Sequence, residues 1–144
     1  MGYPREKSKQ HCFTLNFNPM VQVEIAQLTG ECSTWRDSLR NFRDEFTQDK
    51  AKLQQAVSQP LSKELLRDVE HLHNQFHIQL INIHDLKHAI KAHEQRINYE
   101  MSVNGGKLNA ETVAQHENIF DQFQRLDTTL LELREEFDQF LSRT

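Results

Sequence analysis

The sequence predicts an all-α fold: an up-down-up antiparallel three-helix bundle with long, coiled-coil-like helices. Three observations predict it. Apolar residues recur at alternating spacings of three and four through most of the chain, and punctuation is confined to three short stretches. The composition holds only four Gly and three Pro in 144 residues. Spacing of three and four lines apolar side chains along one side of a helix, and the turn chemistry that joins hairpin strands is missing between the runs.

Residues 1–18 carry no usable period and read as a loose N-terminal tail; residues 19–144 read as a single helical-bundle domain. Asn18-Pro19 supplies a cap followed by a proline at the first helical position, opening a helix over about 20–58. Its stripe runs Ile25, Leu28, Cys32, Trp35, Leu39, Phe42, Phe46 and Leu53, with Asp49 the one polar member. Gly30 interrupts this helix at a cost of about 1 kcal/mol relative to Ala, which packing can absorb. After "SQPLS" a second helix spans about 61–102, with a stripe from Leu65 through Phe76 and Ile83 to Ile90, Ile97 and Met101. "VNGGKLN" offers Gly105 as a stop and Asn109 as the next cap. The third helix, about 109–142, carries Val113, His116, Phe120, Phe123, Leu130, Leu133, Phe137 and Phe140 on its stripe. Connections this short force neighbouring helices to run antiparallel. Pairs such as Arg40/Asp44, Arg96/Glu100 and Arg134/Asp138 have i,i+4 spacing and mark the expected solvent side.

Composition narrows the function classes. The net charge is −4, the charged fraction is 26%, and basic residues are spread among acids instead of clustered. Nucleic-acid binding needs a basic footprint, so it is not expected. No apolar run approaches the roughly 20 residues that span a bilayer, and the N-terminal stretch has no apolar h-region of a secretion signal. Cys12 and Cys32 form no CxxC motif, which suits a reduced cytoplasmic protein. A Gly-rich phosphate loop, GxSxG and HExxH are all absent, so no enzyme class follows.

"HLHNQFHIQLINIHDLKHAIKAHE" holds six of the eight histidines. With His73 at zero, His77, His84 and His88 fall at about 40°, 20° and 60° on a helical wheel, and the apolar stripe lies between about −140° and −20°. These four form a strip along the edge of the core face, while His71 and His93 point elsewhere. His73/His77 and His84/His88 are HxxxH pairs, and Glu70 adds an ExxH spacing, so a Zn or Fe site is one reading. The two pairs lie two turns apart, about 10 Å, and cannot share an ion. Further ligands would have to come from another helix. The reading with more support is that boundary histidines cover apolar surface, with no cofactor. If burial lowers their folded pKa, stability should decline as pH falls through about 6.5.

Ile78 and Ile81 fall at about 140° and 80° on the same wheel, away from the stripe. The middle of this helix is therefore apolar around much of its circumference, which points to a covering tail or a second chain. The expectation is a non-enzymatic interaction or structural module that self-associates through Ile78 and Ile81. Its partner is a second copy or an unidentified protein, with neither nucleic acid nor membrane involved.

The segment "VEHLHNQFHIQLINIHDLKHAIKAHE", with "WRDSLRNFRDEF" before it and "HENIFDQFQRL" and "LREEFDQFL" after it, resembles a group of small all-helical bacterial proteins. The likeness covers roughly residues 20–143. It is most specific at Glu70-His71, Asn74-Gln75-Phe76, Gln79, Leu86-Lys87-His88 and His93-Glu94. It implies a helical fold and a bacterial origin, and no activity comes with it. In that group the positions of His73, His77 and His84 are not reliably histidine.

Overall fold

The computed structural model describes the backbone from Asn18 and the side chains from Ile25, in both cases through Thr144. The tail expected at 1–18 lies outside the described residues, apart from Asn18. Three helices pack into an all-α bundle: α1 (Asn18–Val57), α2 (Lys63–Val103) and α3 (Ala110–Arg143). No strand occurs among the described residues.

Local chemistry sets the breaks. Ser62 caps α2: its Oγ accepts the Leu65 N–H at 3.2 Å and its carbonyl the Leu66 N–H at 3.0 Å. At the other end, Gly106 N–H reaches back to the Met101 carbonyl at 3.1 Å, and Gly105 and Gly106 take φ of 64° and 84°. This is a Schellman stop, in which a left-handed residue turns the chain and satisfies a terminal carbonyl. The Asn109 carbonyl then accepts the first bonds of α3, from Thr112 and Val113 at 3.0 and 3.2 Å.

The two glycine environments predict opposite outcomes. Gly30 lies in α1 with nothing within 4 Å of where a Cβ would sit. Gly30→Ala should therefore raise stability by about 0.5–1 kcal/mol through helix propensity alone. Gly105 has the same open space but a left-handed φ of 64°. Gly105→Ala should lower stability by about 1–2 kcal/mol. Urea unfolding of the two variants beside the parent checks both signs.

Contacts divide the described chain into two compact units, each with a piece of every helix. The unit made of Asp37–Lys87 and Gln122–Thr144 has an aromatic core. Phe76 meets Phe46 at 5.5 Å and Phe137 edge-on at 5.2 Å between centroids, and Phe137 stacks on Phe140 at 6.4 Å. His71 pairs with Glu136 and Asp68 with Arg143, so α2 and α3 run antiparallel here. Asp49, the polar member of the α1 stripe, is buried at 2% exposure. Burial pushes its carboxyl above the usual range, although the Arg134 Nε at 3.7 Å partly offsets this.

The second unit combines the described residues up to Arg36 with His88–Asp121. Ile25, Leu28 and Ile97 form a small apolar cluster with Leu108 against it. Glu100 meets Thr112 at 2.6 Å and His93 meets His116 at 3.0 Å, so α2 and α3 are antiparallel here too, and Arg36 of α1 pairs with Glu94 of α2 at 2.7 Å. Glu100 corrects one expectation. Its i,i+4 bond to Arg96 forms at 3.0 Å, yet the carboxylate is buried, at 3% exposure. It accepts bonds from the Asn109 N–H, the Asn109 side-chain amide and the Thr112 hydroxyl, clamping the start of α3 onto α2. Burial alone would raise its pKa; the bonds from Thr112, Asn109 and Arg96 outweigh that and hold it low.

Candidate metal centre

Beyond the small apolar cluster, this unit turns polar inside. Cys32 from α1, His93 from α2 and His116 from α3 occupy core positions at 0%, 3% and 4% exposure. His93 Nε2 lies 3.0 Å from His116 Nδ1, and Cys32 Sγ lies 3.9 Å from that same nitrogen. All three donor atoms fall within 4.8 Å of one another, the one such group of three among the described residues. On the far side of its ring, His116 Nε2 meets Glu31 Oε1 at 2.7 Å. Glu31 is itself buried, at 8% exposure. Trp35 covers the group, its ring 4.8 Å from His116 and 6.0 Å from Phe120.

With His116 neutral, the hydrogen bonds place the protons as follows. An ionised carboxylate only accepts, so His116 Nε2 donates to Glu31, and a neutral His116 presents Nδ1 as a lone pair. The 3.0 Å contact then requires His93 Nε2 to donate to that lone pair. His93 Nδ1 is left buried without a hydrogen-bond partner. Burial, with smaller contributions from His116 and Arg96, brings the His93 pKa down to about 4. Burial likewise pushes the Cys32 thiol up to about 12, with Glu94 and Glu31 adding to the rise.

Two chemistries could use such a group. Cys32, His116 and Glu31 stand in the order of a thiol, a base and an orienting carboxylate. Three facts oppose nucleophilic use. The thiol is fully buried, its pKa lies near 12, and Cys32 sits inside a helix whose backbone N–H groups are committed to helical bonds and cannot serve an oxyanion.

A metal ion suits the same atoms better. Tetrahedral zinc with Zn–N near 2.05 Å and Zn–S near 2.3 Å needs donor separations of about 3.3 Å between nitrogens and about 3.6 Å between nitrogen and sulfur. The observed 3.0 and 3.9 Å each differ from these by about 0.3 Å, whereas the third separation, Cys32 Sγ to His93 Nε2, is bounded at 4.8 Å, so an ion would have to draw these two donors together. Glu31 supplies the second layer, since a ligating histidine commonly donates its other N–H to a carboxylate. His93 differs: to bind an ion through Nε2 it must move its proton to Nδ1.

The residues of the expected strip lie elsewhere. Glu70, His73, His77, His84 and His88 are all exposed, and none joins the group of three donors. Glu70 and His73 share the rim of an open groove with Leu53, Gln54 and Asn74. Burial therefore cannot act on the strip as the pH expectation required. Ile78 and Ile81 are 44% and 47% exposed.

His93 was expected to point away from the core, and the reason it does not is geometric. A coiled-coil stripe repeats every 3.5 residues, so a wheel drawn at 3.6 slips by about 20° per heptad. Between His73 and His93 the slip reaches about 57°, enough to carry His93 from outside the stripe to within it. The sequence held a signal for this. Ile90 and Ile97 are seven residues apart, and His93 completes the three-four step between them. Glu31 left no comparable trace.

Compared with protein-family models, curated proteins and solved structures, the chain matches none.

Proposed function

We propose that this protein is a metal-binding helical bundle that holds one zinc-like divalent ion through Cys32 Sγ, His93 Nε2 and His116 Nδ1. The observation that carries the reading is the convergence of these three buried donors, with Glu31 on the back of His116. A thiolate with two imidazoles selects zinc and its neighbours over magnesium or calcium, which prefer oxygen. A reducing, cytoplasmic setting fits a working thiol at Cys32.

Elemental analysis of untagged protein dialysed against zinc should find one equivalent per chain. Cys32→Ser and His116→Ala should abolish stoichiometric binding, and Glu31→Gln should weaken it about 10–100-fold. Replacing His73, His77, His84 and His88 together with Gln should leave it unchanged. Loss of zinc from the fourfold variant alone would return the site to the strip.

A second reading rests on a separate observation. Ile78 and Ile81 stand one turn apart on α2 and are nearly half exposed, which favours self-association of the chain through this face. Ile78→Lys with Ile81→Lys should keep helicity and lower the mass seen by light scattering. A parent that stays monomeric across micromolar concentrations would end this reading.

A further inference from the structure

In the unit that holds the aromatic core, an open groove of about 650 Å³ runs between α1 and α3. Its walls include Phe42 and Glu45 on α1, and Leu131, Arg134, Glu135 and Asp138 on α3. Leu131, Glu135 and Asp138 stand at i, i+4 and i+7. One face of α3 therefore passes from an apolar end to an acidic end over about 10 Å. Leu131 is 54% exposed. Among the described residues that line the groove, three carboxylates against one guanidinium leave two negative charges over. Arg134 faces inward: its Nη1 holds Glu45 at 2.5 Å, and its Nε stands 3.7 Å from Asp49 Oδ2. Glu135 and Asp138 form no ion pair within 4 Å among the described residues. Asp49 adds a separate observation from behind the groove. It is 2% exposed, and its Oδ2, turned towards Arg134, has no hydrogen-bond partner. Buried carboxylate oxygens normally find one. Here Arg134 is divided between two acids.

We infer that the α1/α3 groove docks a basic amphipathic helix of another protein, with an apolar side chain on Leu131 and Phe42 and arginine or lysine side chains on Glu45, Glu135 and Asp138. Charge complementarity selects this occupant, because the acidic end of the groove lacks cations of its own and repels an acidic segment. The anchor spacing selects a helix. Positions i, i+4 and i+7 on α3 match the anchors that a helix lying along a groove presents. Asp49 gives docking a consequence inside the core. A cation that takes over Glu45 frees Arg134 to close on Asp49 and supply the hydrogen bond its Oδ2 lacks. The inference uses neither the three metal donors nor Ile78 and Ile81.

Two fluorescein-labelled synthetic helices test this on the full chain by fluorescence anisotropy. Each carries leucine at i and arginine at i+4 and i+7, one in forward and one in reverse order. At least one should bind saturably, at one peptide per chain. Glu135→Lys with Asp138→Lys should weaken binding about tenfold, and Leu131→Ser about fivefold. Glu64→Lys with Asp85→Lys changes the net charge equally on α2 and should leave the affinity within about twofold. Circular dichroism confirms that each variant stays helical. Equal weakening by the two charge-reversed pairs would trace binding to the general acidity of the chain and overturn the groove. Undiminished affinity for a twin peptide with serine for leucine would overturn the amphipathic class. Binding gained only after Arg5, Lys7 and Lys9 are replaced with Ser would give the groove to the chain's own N-terminal residues. A peptide that lowers the mass seen by light scattering would give it to a second copy. Either result, or no binding by any of these proteins, would overturn docking of an outside helix.

Discussion

Phe76→Ala should lower the free energy of unfolding by about 3–5 kcal/mol, the range for emptying a fully buried aromatic site. Phe76 is 0% exposed and stands between Phe46 at 5.5 Å and Phe137 at 5.2 Å, so its removal leaves two ring contacts without a partner. Edge-on packing against Phe137 contributes beyond the buried area, by about 0.5–1.5 kcal/mol for such a pair. Domains of this size are stable by about 5–15 kcal/mol, so the loss is a large share of the total. Urea unfolding followed by circular dichroism reads it directly. Ile78→Ala is the companion measurement: at 44% exposure it should cost under about 1 kcal/mol. Similar losses at the two positions would mean that Ile78 is covered in solution, as the self-association reading requires.

The helices and their breaks were legible because each rests on local chemistry. A three-four period names a buried face without reference to any partner, and Gly105 supplies a left-handed turn wherever the chain goes next. The site was legible only in part. Cys32 and His116 stand on stripes that the sequence displays, and reading them as small or polar core members was correct as far as burial goes. What no single helix displays is that positions 32, 93 and 116 meet, since that depends on how three stripes are brought into register. The histidines that crowd the middle of α2 are exposed, while His93, which joins the buried group, is displaced from the stripe on the wheel by angular drift. Arg96/Glu100 carries the same lesson. An i,i+4 charge pair normally marks the wet side of a helix, but here the Asn109 and Thr112 donors make burial of the carboxylate tolerable.

Acidification of the metal-free protein should cost about 2 kcal/mol between pH 7.5 and pH 5, and the source should be His93. Its folded pKa is about 4, against an ordinary value of 6.5, because burial disfavours the imidazolium. Above pH 6.5 neither the folded nor the unfolded chain protonates this residue, and stability is full. Below 6.5 the unfolded chain takes up a proton that the folded chain refuses, so stability falls until the folded pKa near 4 is reached. The whole shift corresponds to about 3 kcal/mol at 1.36 kcal/mol per unit. The groups facing His93 are Cys32 from α1, Arg96 and Glu100 from α2, and His116 from α3, with Glu31 on the far side of the His116 ring. Trp35 fluorescence in urea, with a chelator present, follows this unit because the ring lies 4.8 Å from His116. His93→Gln should flatten the pH dependence between 7.5 and 5, whereas His77→Gln with His84→Gln should leave it as in the parent. The reverse pattern, with the strip variants flattening the curve and His93→Gln leaving it steep, would place the proton-linked loss on the exposed face of α2 and not in the core.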